Sequence, residues 1–368
     1  MQIGVVGAGI IGLSLARALQ QAGHIVTVYD QAAVPNPLAS SVDGSRLIRH
    51  AYGRHLGYAA MVDDAYAAWE RLWADLGERL YRRTGTLVLS APGETWARDS
   101  AETMDRIGQS YEWLDGEAAA RRFPLLEVSA LADICFVPSG GVLQADAIVA
   151  ALARRVTRLG GAVHAESRIA AVDLDGGTLR LESGDEVAHD LLILSAGPWT
   201  GELLPELARR LTPSRQVVCY GEIPEALQEQ WAEMPMVLEI GKDSPGFYAV
   251  PPVFGGPLKV GDHAFTLTGD PDRERFPEAD ECAEIFERAG GRVRDFQGYR
   301  LIEGKTCFYT VAEEERFLVA RRERGFVFAG FSGHGFKFGP LIGERFADML
   351  AGKLSHERFI RWIEGRGA

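Results

Sequence analysis

The chain is poor in cysteine. Its 368 residues hold four, Cys135, Cys219, Cys282 and Cys307, with no CxxC pair and no metal-ligand spacing. That pattern argues against a zinc site and against a disulfide-stapled secreted fold, and it points to a cytoplasmic chain with reduced thiols. An excess of positive charge is also missing. The formal net charge is -12, which disfavours nucleic acid and anionic membranes as partners. No long apolar run occurs: residues 3–19 are interrupted by glycines and Arg17, so they read as a strand and a helix rather than a membrane span. The first strand starts at Ile3, which leaves no room for a signal peptide. There is no internal repeat, no low-complexity segment and no serine in a nucleophile-elbow context.

What is present suits a folded chain of two lobes, since 368 residues exceed one ordinary core. Residues 3–6 read as a buried strand, 13–21 as a helix with Gly23 as its C-cap, and 25–29 as the next strand. Residues 36–56 are polar, rich in Ser and Arg, and read as a loop. An amphipathic helix follows over 61–76, a strand over 86–90, and helices up to about residue 122. A helix is expected over 145–159 and a strand over 162–164. A hairpin should turn at Ser183-Gly184-Asp185, and 191–194 should be a buried strand. From 215 to 308 the pattern becomes strands with prolines and glycines, expected as a mostly antiparallel sheet. A last strand at 326–329 enters a glycine-rich turn, and a helix runs over 341–350.

The first chemistry-bearing motif is Gly7-Ala8-Gly9-Ile10-Ile11-Gly12. A lone GxGxxG is weak evidence. Here it follows a strand, opens a helix, and is completed by Asp30 at the end of the second strand, all within the ~30 residues of a dinucleotide-binding fingerprint. Gly7 permits the tight turn, Gly9 the approach of a pyrophosphate to the helix N-terminus, and Gly12 close packing of helix on strand. Asp30 can accept the ribose hydroxyls. A hydrophobic strand running into Ser195-Ala196-Gly197 after a hairpin resembles the second dinucleotide contact of many FAD proteins. No second GxGxxG exists for a separate nicotinamide nucleotide. The expected class is therefore α/β with an α+β second lobe: a Rossmann-type FAD-binding domain (1–80, 142–214, 309–368) with an inserted, mostly antiparallel sheet substrate domain (81–141, 215–308).

Five further segments carry reactive side chains. Residues 41–53 read SVDGSRLIRHAYG and 330–340 read GFSGHGFKFGP; between them lie RQVV (215–218), LKVGDH (258–263) and KTCFYT (305–310). Taken singly, these are ambiguous. Arg49 could be a solvated loop arginine, Cys307 a buried small hydrophobe, Lys259 a strand lysine, His263 a structural histidine, and Tyr248 and Tyr309 sheet aromatics. Four residues separate Lys259 from His263, which on a strand puts both on one face. As an ordered set over about residues 3–353, the segments resemble monomeric sarcosine oxidase and its relatives in the D-amino-acid oxidase superfamily. Those relatives include N-methyltryptophan, pipecolate and fructosyl-amino-acid oxidases.

The resemblance implies roles. Arg49 and Lys337 would hold a substrate carboxylate, and Cys307 would bind the flavin 8α-methyl carbon covalently. Lys259 would sit near flavin N5 and help O2 react, with His263 on the substrate side. Ser45 and Arg46 would pack against the ring, and Tyr248 and Tyr309 would close over the substrate. Gly333, His334, Gly335 and Lys337 would form the loop that approaches the ring, and Ile10, Ile11 and Ile169 would add cofactor contacts. The chain departs from the family at Glu314 and Ala320, where aspartates often stand. The activity implied is FAD-dependent oxidation of the C–N bond of a small secondary (N-methyl or cyclic) amino acid with a free carboxylate, with O2 reduced to hydrogen peroxide by a monomer. The alternatives are a D-amino-acid or glycine oxidase with noncovalent FAD, and a dehydrogenase that serves another electron acceptor.

Overall fold

The apolar run at the start of the chain becomes the strand Gln2–Val6, inside a six-stranded sheet. A computed structural model describes residues 1–241 and 246–367. The sheet order is Leu318–Arg321, Gly325–Ala329, Leu191–Leu194, Gln2–Val6, Ile25–Tyr29, Ala162–His164. All neighbours are parallel except the first pair. Successive side chains divide between two cores, as the strand period requires. Ile3, Val5, Val26, Val28, Ile193, Phe326 and Phe328 face the helices Ile10–Gln21, Leu56–Leu76, Ala145–Arg158 and Gly339–Leu350. Val6, Tyr29, Leu192, Leu194 and Val327 face a small antiparallel sheet built from Ile169–Asp173, Thr178–Leu181 and Glu186–Ala188. Burial on both faces is why these strands read as near-continuous apolar runs.

A second sheet has eight strands, in the order Arg300–Ala312, Leu211–Glu222, Leu258–Gly261, Phe247–Val250, Met236–Glu239, Thr86–Ser90, Asp133–Val137, Glu112–Trp113. Only Met236–Glu239 and Thr86–Ser90 pair in parallel. The two longest strands pair from Leu211↔Ala312 to Glu222↔Arg300 and place Cys307 opposite Gln216.

Three expectations need correction. The segment 36–56 is not wholly loop: Arg46–Ile48 is a strand paired with Gly141–Leu143, a partner almost a hundred residues away that local patterning cannot reveal. The helix expected from 61 begins at Leu56. Its early turn contains Gly57, a poor helix former, which is needed because a Cβ there would lie 1.7 Å from the Gly365 carbonyl oxygen. The stretch 215–308 also includes a helix, Ala279–Arg288, which buries Cys282, Ile285 and Phe286 against the eight-stranded sheet. Among the described residues no helix is long and apolar enough to cross a membrane, and no cluster of three or more His, Cys, Asp or Glu could hold a metal ion.

Candidate functional site

The glycine motif turns between Gln2–Val6 and Ile10–Gln21. Gly7 has φ +103°, a conformation open to glycine, and a Cβ on it would meet the Ser195 carbonyl oxygen at 2.4 Å. Gly12 lies against the same turn, where a Cβ would be 1.9 Å from the Gly7 carbonyl oxygen. It packs helix on strand and is not among the residues that line the cavities described below. Gly9 leaves the helix N-terminus open, and the first turn carries no acidic side chain. The Ile10 amide donates to Ser41 Oγ at 3.0 Å. Asp30 Oδ2 accepts the Ala8 amide at 2.8 Å, and Oδ1 accepts Asn36 Nδ2 at 2.9 Å. Burial raises the Asp30 carboxyl above its ordinary range, and these hydrogen bonds oppose that. Asp30, Ile169, Ala196 and Gly197 line one cavity together with Gly7 and Gly9.

That cavity opens a continuous trough. Gly9, Ser41 and Gly197 also border a second cavity, which holds Ile10, Ile11, Arg46, Tyr309, Gly333 and Gly335. Arg46, Tyr309 and Gly333 continue into a third with Ser45, Tyr248, Lys259, His263, Cys307 and Lys337. Arg49, His263, Tyr309 and His334 then face a fourth, walled by Tyr52, Trp96 and Phe265. Gly333 has φ +77°, and a Cβ there would strike the Tyr309 ring at 2.5 Å. The residues marked by sequence thus come together from both sheets, in a space long enough to run from a helix N-terminus to a pair of cations.

The electrostatics differ along the trough. Cys307 Sγ lies 3.8 Å from an Arg46 Nη2 donor. Burial pushes its thiol up, and Arg46 pulls it back. Lys259 is buried and donates to Asp43 Oδ2 at 2.5 Å and to the Ser45 carbonyl at 3.2 Å. Its strand ends at Gly261, so His263 stands beyond the strand, and the same-face rule is not what brings it to the cavity of Lys259. At the far end, Arg49 and Lys337 both lie over Tyr52, at 4.9 and 5.1 Å from the ring centre. Lys337 Nζ donates to the Tyr52 hydroxyl at 2.8 Å and to the His334 carbonyl at 3.2 Å. Arg49 bonds the Ala51 carbonyl and stacks 5.4 Å over Trp96. Among the described residues neither cation has a carboxylate within ion-pair distance. Burial drives Lys337 well below its ordinary range, and Arg49 adds to the shift. Burial, then Arg49 and Lys337, push His263 down to about 3, so its ring is neutral. Its Nε2 is buried without a partner. The Tyr248 ring lies 5.4 Å from the His263 ring.

Residues 2–349 match the family described as DAO, FAD dependent oxidoreductase. The chain belongs to this family. It is 28% identical to monomeric sarcosine oxidase of Bacillus sp. (strain B-0618), over 96% of this chain and 93% of that one. It is 27% identical to N-methyl-L-tryptophan oxidase of Yersinia pestis (strain Pestoides F), over 92% of each chain. The fold matches L-proline dehydrogenase from P. horikoshii with a TM-score of 0.84 at 17% identity, covering 99% of this chain and 96% of that one. Glycine oxidase from Geobacillus kaustophilus matches with a TM-score of 0.81 at 21% identity, covering 96% and 95%.

As a DAO-family FAD-dependent oxidoreductase, the chain has a trough whose chemistry fits FAD. One end offers helix amides and Asp30 to a nucleotide, and the other offers fixed cations and an unpartnered histidine nitrogen to a substrate. Sequence reading missed Asp43, Tyr52, Trp96 and Tyr220. Asp43 and Tyr52 sit inside the SVDGSRLIRHAYG segment, so an acid three residues before Arg46 was a usable signal. Trp96 and Tyr220 reach the site by tertiary folding alone.

Proposed function

We propose that this FAD-dependent oxidoreductase acts on the C–N bond of a small secondary (N-methyl or cyclic) amino acid, which becomes an imine while O2 becomes hydrogen peroxide. The observation that carries the reading is the pair Arg49 and Lys337, held over one tyrosine ring with, among the described residues, no carboxylate within ion-pair distance; Glu315 lines the same cavity and acts on Arg49 only from farther off. Two desolvated cations stabilise an anion far better than water-exposed ones do. A substrate carboxylate would supply the missing countercharge and hold the amine end toward the cavity shared by Lys259 and His263. The sarcosine and N-methyltryptophan oxidase relatives support this choice of substrate class.

In this reading, Gly7, Gly9, Ile10, Ile11, Asp30, Ile169, Ala196 and Gly197 hold the nucleotide half of FAD, with Gly12 packing behind the turn. Ser45, Arg46, Gly333, His334, Gly335 and Cys307 surround the flavin. Bound FAD supplies the two-electron acceptor, which the protein cannot provide. Neutral His263 offers a free ring nitrogen to the substrate amine. Tyr248 and Tyr309 close the space around the reacting carbon and limit water there. The Lys259 cation lowers the energy of negative charge developing on O2. Water then hydrolyses the imine. The trough is formed between an FAD lobe at 1–80, 142–214 and 309–368 and a substrate lobe at 81–141 and 215–308. We assign the enzyme as a cytoplasmic monomer.

A peroxide-coupled screen of N-methyl and cyclic amino acids tests the reaction. At least one should bleach the flavin under nitrogen and yield peroxide in air. Bleaching without peroxide would indicate a dehydrogenase, and no bleaching by any secondary amino acid would remove the substrate class.

Cys307 Sγ faces the flavin cavity beside Arg46, and we assign it as the point of covalent attachment. Acid precipitation of the purified holoenzyme should leave a yellow pellet. In Cys307→Ala the flavin should still bind and should then pass wholly to the supernatant. A colourless pellet from the parent protein rules the linkage out.

A further inference from the structure

Asp43 lies in the bend before the strand Arg46–Ile48, with its side chain 6% exposed. Its carboxylate is fully engaged. Oδ1 accepts from the Tyr220 hydroxyl and from the Gly44 amide at 2.7 Å. Oδ2 accepts from Arg46 and from Lys259 Nζ at 2.5 Å. The Asp43 carbonyl is pinned by the Asp146 amide at 3.0 Å, at the start of the helix Ala145–Arg158. Among the described residues Lys259 has no other ion-pair partner. One buried acid therefore serves two buried cations, and the cluster keeps a single net positive charge.

We propose that Asp43 is a positioning residue for the oxygen half of the reaction: it fixes Lys259 Nζ in the flavin cavity and keeps it protonated. This rests on the reading of Lys259 as the cation used toward O2. The other titratable groups facing Lys259 do not do this work. Cys307 and Tyr309 come from Arg300–Ala312, Tyr220 from Leu211–Glu222 and Tyr248 from Phe247–Val250, and burial raises all four. Arg46, Arg49 and Lys337 repel a second cation, and His263 and His334 are neutral. Burial pulls Lys259 below its ordinary range and Arg46 adds to that, while Asp43 opposes both. Burial alone would raise the Asp43 carboxyl, but Lys259 and Arg46 outweigh it and hold it well below the usual range. Asp43 is thus ionised wherever Lys259 titrates. The cation exists below the pKa of Lys259 and is lost above it. Without Asp43 that loss comes at lower pH.

The chain has five lysines, so Lys259 can be followed by NMR of the flavin-loaded protein labelled with ¹³Cε-lysine, its resonance identified by its loss in K259M. The Lys259 midpoint in D43N should fall by about 1–3 pH units, the effect of removing an opposite charge at contact distance. Reoxidation of pre-reduced D43N by O2 should decline through that same lower pH, where the parent is still flat. Equal Lys259 midpoints in the two proteins overturn the proposal. If D43N does not fold, the parent decides: Lys259 should still be protonated at neutral pH, and a neutral Lys259 there overturns it. A K259M protein that reoxidises like the parent overturns the oxygen reading itself, and the NMR midpoints separate that failure from a failure of Asp43 to hold the proton.

Discussion

Replacing Lys259 with methionine should slow reoxidation of the reduced enzyme by O2 by orders of magnitude and leave anaerobic reduction by substrate nearly unchanged. Methionine keeps much of the side-chain volume in a closely packed strand, so the change is mainly one of charge. Asp43 retains Arg46 as its partner, so removal of Lys259 leaves no orphaned carboxylate. The two half-reactions differ in their need for the cation. Loss of hydride develops positive charge on the substrate C–N unit near His263, which a neighbouring cation does not assist, whereas the first electron on O2 creates an anion. Each ~1.4 kcal/mol of lost stabilisation costs tenfold in rate, and a buried ammonium contributes several times that at a developing charge. Stopped-flow traces of both half-reactions separate the cases. An artificial acceptor should rescue turnover. If the variant reoxidises as fast as the parent, Lys259 is a structural strand lysine. If the parent itself is slow with O2 and quick with an artificial acceptor, the enzyme is a dehydrogenase.

Arg49→Ala and Lys337→Ala should each lower kcat/KM for an amino acid by about 2–4 kcal/mol, roughly 30- to 1,000-fold. Each cation is half of a two-point grip, and each is desolvated. A substrate amide or a decarboxylated amine brings no charge to the pair, so the same substitutions should change its kcat/KM only a few-fold. The ratio of acid to amide is the decisive readout, because general damage to the site would lower both. Equal losses would remove the clamp. Arg49→Lys should not restore activity, since the planar guanidinium stacks over both Tyr52 and Trp96 and an ammonium cannot.

Much of the architecture is legible in the sequence. Residues 3–6 and 191–194 are buried on both faces, so their apolar runs spoke for a parallel core. The glycines of the first turn are required by contacts under 2.5 Å at Gly7 and Gly12, which is why the motif reads so clearly. The strand Arg46–Ile48 was hidden, because it is three residues long, opens on a cation that serves a cavity, and has a remote pairing partner. The helix Ala279–Arg288 was hidden by the prolines and glycines around it. At the site, Arg49, Lys259, Cys307 and Lys337 carried a signal because they lie in recognisable segments. Asp43 carried less: in a polar stretch one acid looks like any other until three side-chain donors are seen to converge on it.

The order of strands in the six-stranded sheet bears on how the enzyme is made. Gln2–Val6 is made well before its neighbour Leu191–Leu194, which pairs onward with Gly325–Ala329. The glycine-bearing helix Ile10–Gln21 is covered by Gly339–Leu350, so closely that a Cβ at Gly343 would lie 2.4 Å from the Ser14 carbonyl oxygen. The nucleotide cradle is therefore written by residues 2–30 but finished only by residues 325–350. A nascent chain holds the motif for most of its translation without the floor and flank that give the motif its shape. At ~5–20 residues per second, that is an interval of tens of seconds in which an apolar sheet edge waits for its partner. Cofactor loading has to wait for residues 339–350, and any truncation before Leu350 should leave a protein that carries the fingerprint and cannot use it.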